Sequence, residues 1–468
     1  MNYLSTRGQA PVLSFDDVLL TGLARDGGLY VPETWPKLSR TEIKALRGVS
    51  YEDIAVRVML PFLGGQISEA DFAQMVAESY ASFDHPARAP LKQLDSNLWL
   101  VELFHGPTLA FKDYPLQLVG RLFDHVLKKR GERVTIVGAT SGDTGSAAIE
   151  ACKNRDAVEI FILHPNGRVS DVQRRQMTTV DAANVHNIAL EGTFDDCQDM
   201  VKALFADEAF RDEHQLSAVN SINWARIMSQ IVYYFSTALA LGAPDRKLAY
   251  AVPTGNFGNV YAGYAASRMG LPIERFVVGS NANDILTRYF NSGVMETAEV
   301  MPTLSPSMDI QISSNFERLL FEHYGRKGET VGRVLARFRR NGTVRFGDAR
   351  WKAMRRKFEG HRLGDNATKD AIGEVYRDTG ELVDPHSVIG VMAAKASSVS
   401  ADTSIVSLAT AHPAKFPAAV EEATGIHPAL PDRLSDLFDR REKFTVLAND
   451  FDTVRDHIAG ALAVRSGA

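Results

Sequence analysis

Beyond position 95 the chain alternates short apolar runs with longer stretches whose apolar residues recur at helical spacing. Leu98-Trp99-Leu100-Val101-Glu102-Leu103, Val134-Thr135-Ile136-Val137, Val158-Glu159-Ile160-Phe161-Ile162-Leu163 and Val185-His186-Asn187-Ile188-Ala189-Leu190 read as strands. Leu248-Ala249-Tyr250-Ala251-Val252, Phe276-Val277-Val278 and Ser404-Ile405-Val406-Ser407-Leu408-Ala409 continue the series. Between them lie helical patterns, among them Val119, Leu122, Phe123 and Val126, a helix opening near Ser146, and a long one over 224–241. Near-continuous apolar strands separated by helices predict an α/β fold with parallel sheet covered on both faces.

The first 95 residues have a different texture. Asp26-Gly27-Gly28 predicts a tight turn into the extended piece Leu29-Tyr30-Val31-Pro32, and helical patterns follow over 51–63 and 69–83. Residues 1–95 therefore read as a small, mainly helical domain ahead of a larger region, 96–468. Over 331–362 arginine and lysine cluster, with Arg333, Arg337, Arg339 and Arg340 in one group and Arg355-Arg356-Lys357 in another. These read as solvated helix faces. After Pro417 the tail reads as helical and mixed in charge.

Composition narrows the class. A chain of 468 residues with 45% hydrophobic and 23% charged residues is long enough for two or three domains with substantial cores. The net charge of −5 gives no case for nucleic-acid binding, and no apolar run is long enough to span a bilayer. Residues 1–14 lack the apolar core of a signal peptide, and two cysteines, Cys152 and Cys197, cannot make a disulfide framework. The expectation is a cytoplasmic protein with reduced thiols. Twelve histidines include no His-Glu-x-x-His pair, so no metal site is expected.

Three pieces carry candidate chemistry. In Leu103-Phe104-His105-Gly106-Pro107-Thr108-Leu109-Ala110-Phe111-Lys112-Asp113, one lysine stands among apolar neighbours just ahead of a helix, with Asp113 expected to cap it and Pro115 suited to its first turn. A lysine so placed can lose its proton and attack a carbonyl to form a Schiff base. The loop Gly138-Ala139-Thr140-Ser141-Gly142-Asp143-Thr144-Gly145-Ser146 joins a strand to a helix and offers free N–H groups and hydroxyls to an anion. It lacks both the dinucleotide fingerprint and the Gly-Lys-Ser/Thr ending of a nucleotide phosphate loop. Pro253-Thr254-Gly255-Asn256-Phe257-Gly258-Asn259 is a second such loop, a cup of backbone donors suited to phosphate. It contains no lysine or arginine. Thr410 stands where a late strand ends, the edge at which ligands collect in parallel sheets.

Taken together, His105 to Thr108 with Lys112-Asp113, Ser141 to Gly145, Asn220-Ser221-Ile222-Asn223-Trp224-Ala225-Arg226, Gly255 to Asn259 and Asp384-Pro385-His386 resemble the threonine synthase family. These are pyridoxal-phosphate enzymes of the tryptophan-synthase-β-like fold. The resemblance runs in order along most of the chain, and its motifs are specific as a set. It implies a fold-type II catalytic region of two α/β lobes with the cofactor in the cleft, residues 115–225 being the smaller, mobile lobe that closes over substrate. Lys112 would hold pyridoxal phosphate as a Schiff base and act as the catalytic proton carrier. Gly255, Asn256, Phe257, Gly258 and Asn259 would bind the cofactor's phosphate, and Thr410 its ring nitrogen. Many relatives have asparagine where this chain has Asp143, so a carboxylate beside the cofactor's ring oxygen needs a proton or a donor partner.

The implied reaction converts O-phospho-L-homoserine and water to L-threonine and phosphate, the last step of threonine biosynthesis. Thr140, Ser141 and Thr144 would surround the substrate carboxylate. Ser221, Asn223 and Arg226 would take its phosphate, since arginine grips phosphate with two hydrogen bonds. His105 and His386 are expected to position other groups. The alternative with the same cofactor is a lyase releasing a keto acid and ammonia; a non-catalytic binding protein would have no use for Lys112. The expected partner is this small-molecule substrate, with no nucleic acid or membrane, and the chain is expected to be a monomer or homodimer.

Overall fold

A computed structural model describes residues 1–218 and 220–466, so the predicted region 96–468 ends two positions outside the described residues. The chain divides into two compact units. One comprises Met1–Pro115 and Ser221–Pro428; the other comprises Leu116–Asn220 and the chain from Ala429 onward.

The first unit is built on a six-stranded sheet. Its strands lie in the order Phe358–Arg362, Ile273–Ser280, Leu248–Pro253, Ser404–Ala409, Leu98–Glu102, Leu91–Gln93. All neighbours are parallel except the last pair, where Leu91–Gln93 runs antiparallel to Leu98–Glu102. Register places Ser407 between Leu100 and Ala251. Every residue of Leu248–Pro253 is buried, as expected of a strand covered on both faces. One side packs on the helices Asp365–Thr379 and Pro385–Lys395, through Ile372, Val375, Val388 and Val391. The helix Trp224–Ala240, buried along nearly its whole length, belongs to the same unit.

The N-terminal residues join this unit through short elements. Tyr3–Ser5 pairs antiparallel with Tyr30–Pro32, and the capped helices Tyr51–Met59 and Glu69–Tyr80 follow. Pro61 turns the end of the predicted 51–63 helix into a 3-10 turn, Leu60–Leu63, because proline cannot donate to an α-helical bond. Arg7 pairs with Glu317 at 3.1 Å.

The second unit holds a wholly parallel sheet, ordered Thr445–Ala448, Val185–Glu191, Val158–Pro165, Val134–Ala139, Leu216–Ser217. Its core gathers Val137, Phe161, Leu163, Ile188, Leu190 and Leu204 with Val454 and Ile458 of the helix Phe451–Ser466. The tail after Pro417 thus corrects the all-helical expectation. It contains the strand Thr445–Ala448, too short to show a period and stabilised by its pairing with Val185–Glu191. The basic stretch likewise hides strands, Thr343–Arg345 and Phe358–Arg362.

Candidate active site

Lys112 lies at the carboxyl end of the strand Leu98–Glu102, after a loop that is clamped rather than capped. The expectation that Asp113 caps the following helix is corrected: Asp113 is the first residue of helix Asp113–Arg130 and reaches backward. Its carboxylate accepts from the Thr108 N–H at 2.8 Å and the Thr108 hydroxyl at 2.6 Å. Gly106 is required by this clamp, since a Cβ there would stand 2.4 Å from Asp113 Cβ. The buried ammonium of Lys415 donates to the Thr108 carbonyl at 2.7 Å from the opposite side. Lys112 itself is 7% exposed, and its Nζ lies 3.4 Å from Ser307 Oγ and 5.4 Å from the Phe111 ring centre.

Thr410 follows the neighbouring strand, Ser404–Ala409. Its carbonyl accepts from the Phe111 N–H at 2.9 Å, which fixes it beside Lys112. Its N–H donates to Ser387 Oγ at 2.9 Å, and the Ser387 hydroxyl donates to Asp384. Asp384 also accepts from the N–H groups of His386 and Ser387 and from His386 Nδ1 at 2.7 Å. The Asp384-Pro385-His386-Ser387 run is therefore a helix cap whose product is the placement of Thr410. Thr410 Oγ1 keeps no hydrogen-bond partner among the described residues.

The loop Gly255–Asn259 leaves the next strand and opens the helix Gly258–Arg268. Phe257 takes a left-handed conformation, φ +61°, at its cap. Gly255 packs so tightly that a Cβ would sit 3.1 Å from both Met308 Cα and the Ser307 carbonyl oxygen. Asn259 Oδ1 accepts from Tyr233 at 2.7 Å and Tyr234 at 2.9 Å, while its Nδ2 is buried without a partner. Ser307 thus adjoins both Lys112 and Gly255. Residue types at these positions fit pyridoxal phosphate: a buried amine, an unpaired hydroxyl, and a helix N-terminus preceded by a loop in which a side chain at Gly255 would be crowded.

Ser221, Asn223 and Arg226 lie in the same unit, at the start of helix Trp224–Ala240. Asn223 is used structurally, accepting from the Ala225 N–H at 2.9 Å and donating to the Leu19 carbonyl at 2.8 Å. Arg226 differs. It is 4% exposed, and Nε and Nη1 have no partner among the described residues. Burial alone brings its guanidinium down to about 10. A cation left so in a protein interior is strongly destabilising unless an anion joins it.

The second unit carries the other predicted loop. Thr140 Oγ1 accepts from the N–H groups of Gly142 and Gly145, both at 2.9 Å, so this hydroxyl shapes the loop from within. The hydroxyls of Ser141 and Thr144 have no partner among the described residues, and both residues are partly exposed. Asp143 is buried and accepts from Gln173 Nε2 at 2.9 Å. The donor that a carboxylate here requires is thus an amide thirty positions further along the chain.

His105 lies between carboxylates, with Nδ1 2.9 Å from Asp84 and Nε2 2.7 Å from Glu102. Burial would raise Glu102, but hydrogen bonds from His105 and Lys92 outweigh it and hold the carboxyl below its ordinary range. Ser307, Lys415 and Gln173 were invisible as site residues in the sequence. Each is an ordinary residue type far along the chain from what it touches, and no local spacing marks it.

Comparison with known proteins covers nearly the whole chain. Residues 2–80 match the family model for the threonine synthase N terminus, 84–336 that for pyridoxal-phosphate dependent enzymes, and 387–458 that for the threonine synthase C-terminal region. A threonine synthase of Pseudomonas aeruginosa is 56% identical over 460 residues, covering 98% of each chain. That of Schizosaccharomyces pombe is 42% identical, covering 97% of this chain and 94% of its own. Among solved structures, the pyridoxal-phosphate-bound threonine synthase of Brucella melitensis matches with a TM-score of 0.97 at 54% identity, covering 98% of this chain and 99% of its own.

Proposed function

From the premise that this chain belongs to the threonine synthase family, we infer how its residues share the work of that reaction. The enzyme is a pyridoxal-phosphate-dependent lyase that converts O-phospho-L-homoserine and water to L-threonine and phosphate. The observation that carries the assignment of roles is the convergence in the first unit. Lys112, the Gly255–Asn259 loop and Thr410 all follow the carboxyl ends of adjacent parallel strands.

Lys112 holds the cofactor, the N–H groups at the start of helix Gly258–Arg268 receive its phosphate, and Thr410 Oγ1 meets its ring nitrogen. Pyridoxal phosphate supplies, when bound, an electron sink for charge developing on the substrate's carbons. Lys112 Nζ takes the proton from Cα, and the Ser307 hydroxyl beside it keeps that amine oriented. A proton then leaves Cβ as phosphate is expelled from Cγ, Cγ takes up a proton, water adds its hydroxyl at Cβ, and a proton returns to Cα. Arg226 receives the phosphate group with Ser221, whose hydroxyl has no partner among the described residues, while Asn223 holds their turn in place. In the second unit, Ser141, Thr144 and the backbone N–H groups opening helix Asp143–Cys152 suit a carboxylate. Gln173 supplies the donor for Asp143.

The partner in this reading is the small-molecule substrate, for a monomeric or homodimeric chain. We place the enzyme in the cytoplasm, a reading supported by its two free cysteines. Among the described residues no helix is long and apolar enough to cross a membrane.

The test is incubation of cofactor-loaded enzyme with O-phospho-L-homoserine. Phosphate and threonine should appear in equal amounts, and Lys112→Ala should abolish both. Phosphate accompanied by a keto acid and ammonia would replace this reading with that of a lyase releasing its intermediate early.

A further inference from the structure

The cup at Gly255–Asn259 contains no cationic side chain, yet a cation is built in behind it. Arg318, on helix Phe316–His323, is wholly buried and has no carboxylate partner among the described residues. Its donors all go to neutral oxygens. Nε and Nη2 reach the Tyr30 carbonyl at 3.0 and 2.9 Å, Nη2 reaches the Ile222 carbonyl at 2.6 Å, and Nη1 donates to Asn315 Oδ1.

Asn315 carries this anchoring onward in two directions. Its Nδ2 donates to the Asn256 carbonyl at 3.0 Å and to the Ser221 carbonyl at 3.1 Å, and its N–H donates to the Asn256 carbonyl at 3.0 Å. One side chain therefore joins the loop assigned to the cofactor's phosphate to the segment assigned to the substrate's phosphate. Gly258 leaves room for it, since a Cβ there would lie 3.3 Å from Asn315 Nδ2. The carbonyls of Asn256, Ser221 and Ile222 are thereby turned toward Asn315 and Arg318. Oxygens occupied in this way are not presented to an anion, and the peptide N–H groups are left to face it.

We propose that Arg318, acting through Asn315, is a positioning residue that sets both phosphate-binding segments and lends them positive charge. The proposal rests on the assignment of those two segments to phosphate. Burial, opposed in part by the nearby Tyr261 and Glu317, brings the Arg318 guanidinium down to about 10, as burial alone does for Arg226. A bound dianion offsets the cost of burial for both.

A purely structural role would weaken every ligand alike, so the test compares ligands with and without phosphate. Apoenzyme is titrated with pyridoxal phosphate and with pyridoxal, and inorganic phosphate is assayed as a competitor of O-phospho-L-homoserine. Asn315→Ala is expected to cut the preference for pyridoxal phosphate over pyridoxal about tenfold, the loss of roughly one charge-supported hydrogen bond. It should also weaken inhibition by phosphate several-fold. Arg318→Met should do the same or more, and Arg318→Lys should fall between, keeping the charge without the fork. If Arg318→Met does not fold, Asn315→Ala decides. An unchanged preference in Asn315→Ala, or equal weakening of both ligands, overturns the proposal. Wild-type enzyme that binds pyridoxal phosphate with this preference but forms no threonine would overturn the assigned reaction and leave the proposal standing.

Discussion

At the scale of single residues, the unpaired guanidinium of Arg226 makes two opposed demands. Without ligand it is a buried charge lacking partners at Nε and Nη1 among the described residues; in the proposed reading it grips the substrate's phosphate. Arg226→Met is therefore expected to raise the KM for O-phospho-L-homoserine tenfold or more while leaving the ligand-free protein at least as stable as wild type. Added phosphate should raise the melting temperature of wild type, by the equivalent of about 2.7 kcal/mol at a hundredfold excess over its dissociation constant, and should not raise that of the variant. Thermal melts with and without phosphate check both. A second residue sets an acid limit. Burial, aided by the nearby His105, lowers His412 from 6.5 to about 4, and its Nδ1 accepts the Ala414 N–H at 3.1 Å. The folded ring binds its proton more weakly than the unfolded chain does. Stability is then full above about pH 6.5 and declines as pH falls toward 4, by about 3 kcal/mol. His412→Asn, which keeps an acceptor for that N–H, should flatten this part of the curve in denaturant titrations at successive pH values. Lys112, Arg226 and the Gly255–Asn259 loop could be picked out in the sequence as candidates because lysine, arginine and paired glycines suggest their chemistry by type. Asn315 and Gln173 could not, since an amide far along the chain has no mark until folding brings it to its partner.

At the scale of elements, the clamp between Thr108 and Asp113 shows how a reading can place a motif and still miss its mechanics. The sequence locates a loop that delivers Lys112 to a helix, but capping rules point the aspartate forward whereas it binds backward. Gly106→Ala tests the clamp. Its Cβ would fall 2.4 Å from Asp113 Cβ, so the loop must move, at a cost of about 2–3 kcal/mol. Loss of activity together with a lowered melting temperature is the expected result; a fully active and stable variant would contradict the clamp. Strands with long apolar runs, such as 160–163 within Val158–Pro165 and the whole of Leu248–Pro253, could be read directly because both of their faces are buried. Phe358–Arg362 could not. Its Glu359 and His361 are polar, and Glu359 owes its burial to Arg275 at 3.0 Å and to Ser398, partners remote in sequence.

At the scale of the whole molecule, the second unit is assembled from two separated lengths of chain. The returning segment supplies a sheet strand, Thr445–Ala448, and the fully buried Val454 and Ile458. It is also fastened by ion pairs, Glu442 with Arg174 at 2.9 Å and Lys443 with Asp181. Removing the chain beyond Pro428 would uncover core residues worth about 1.5–3 kcal/mol each and bare the edge of Val185–Glu191. Such a truncation should aggregate, as sedimentation of the soluble fraction would show, while charge-neutralising changes at Lys443 alone should not. The same arrangement acts during synthesis on the ribosome. About 250 residues separate the end of strand Val185–Glu191 from the start of its neighbour Thr445–Ala448, so at roughly 5–20 residues per second the nascent sheet waits more than ten seconds for its last strand. For that interval an open parallel edge is available for pairing with any other chain emerging nearby.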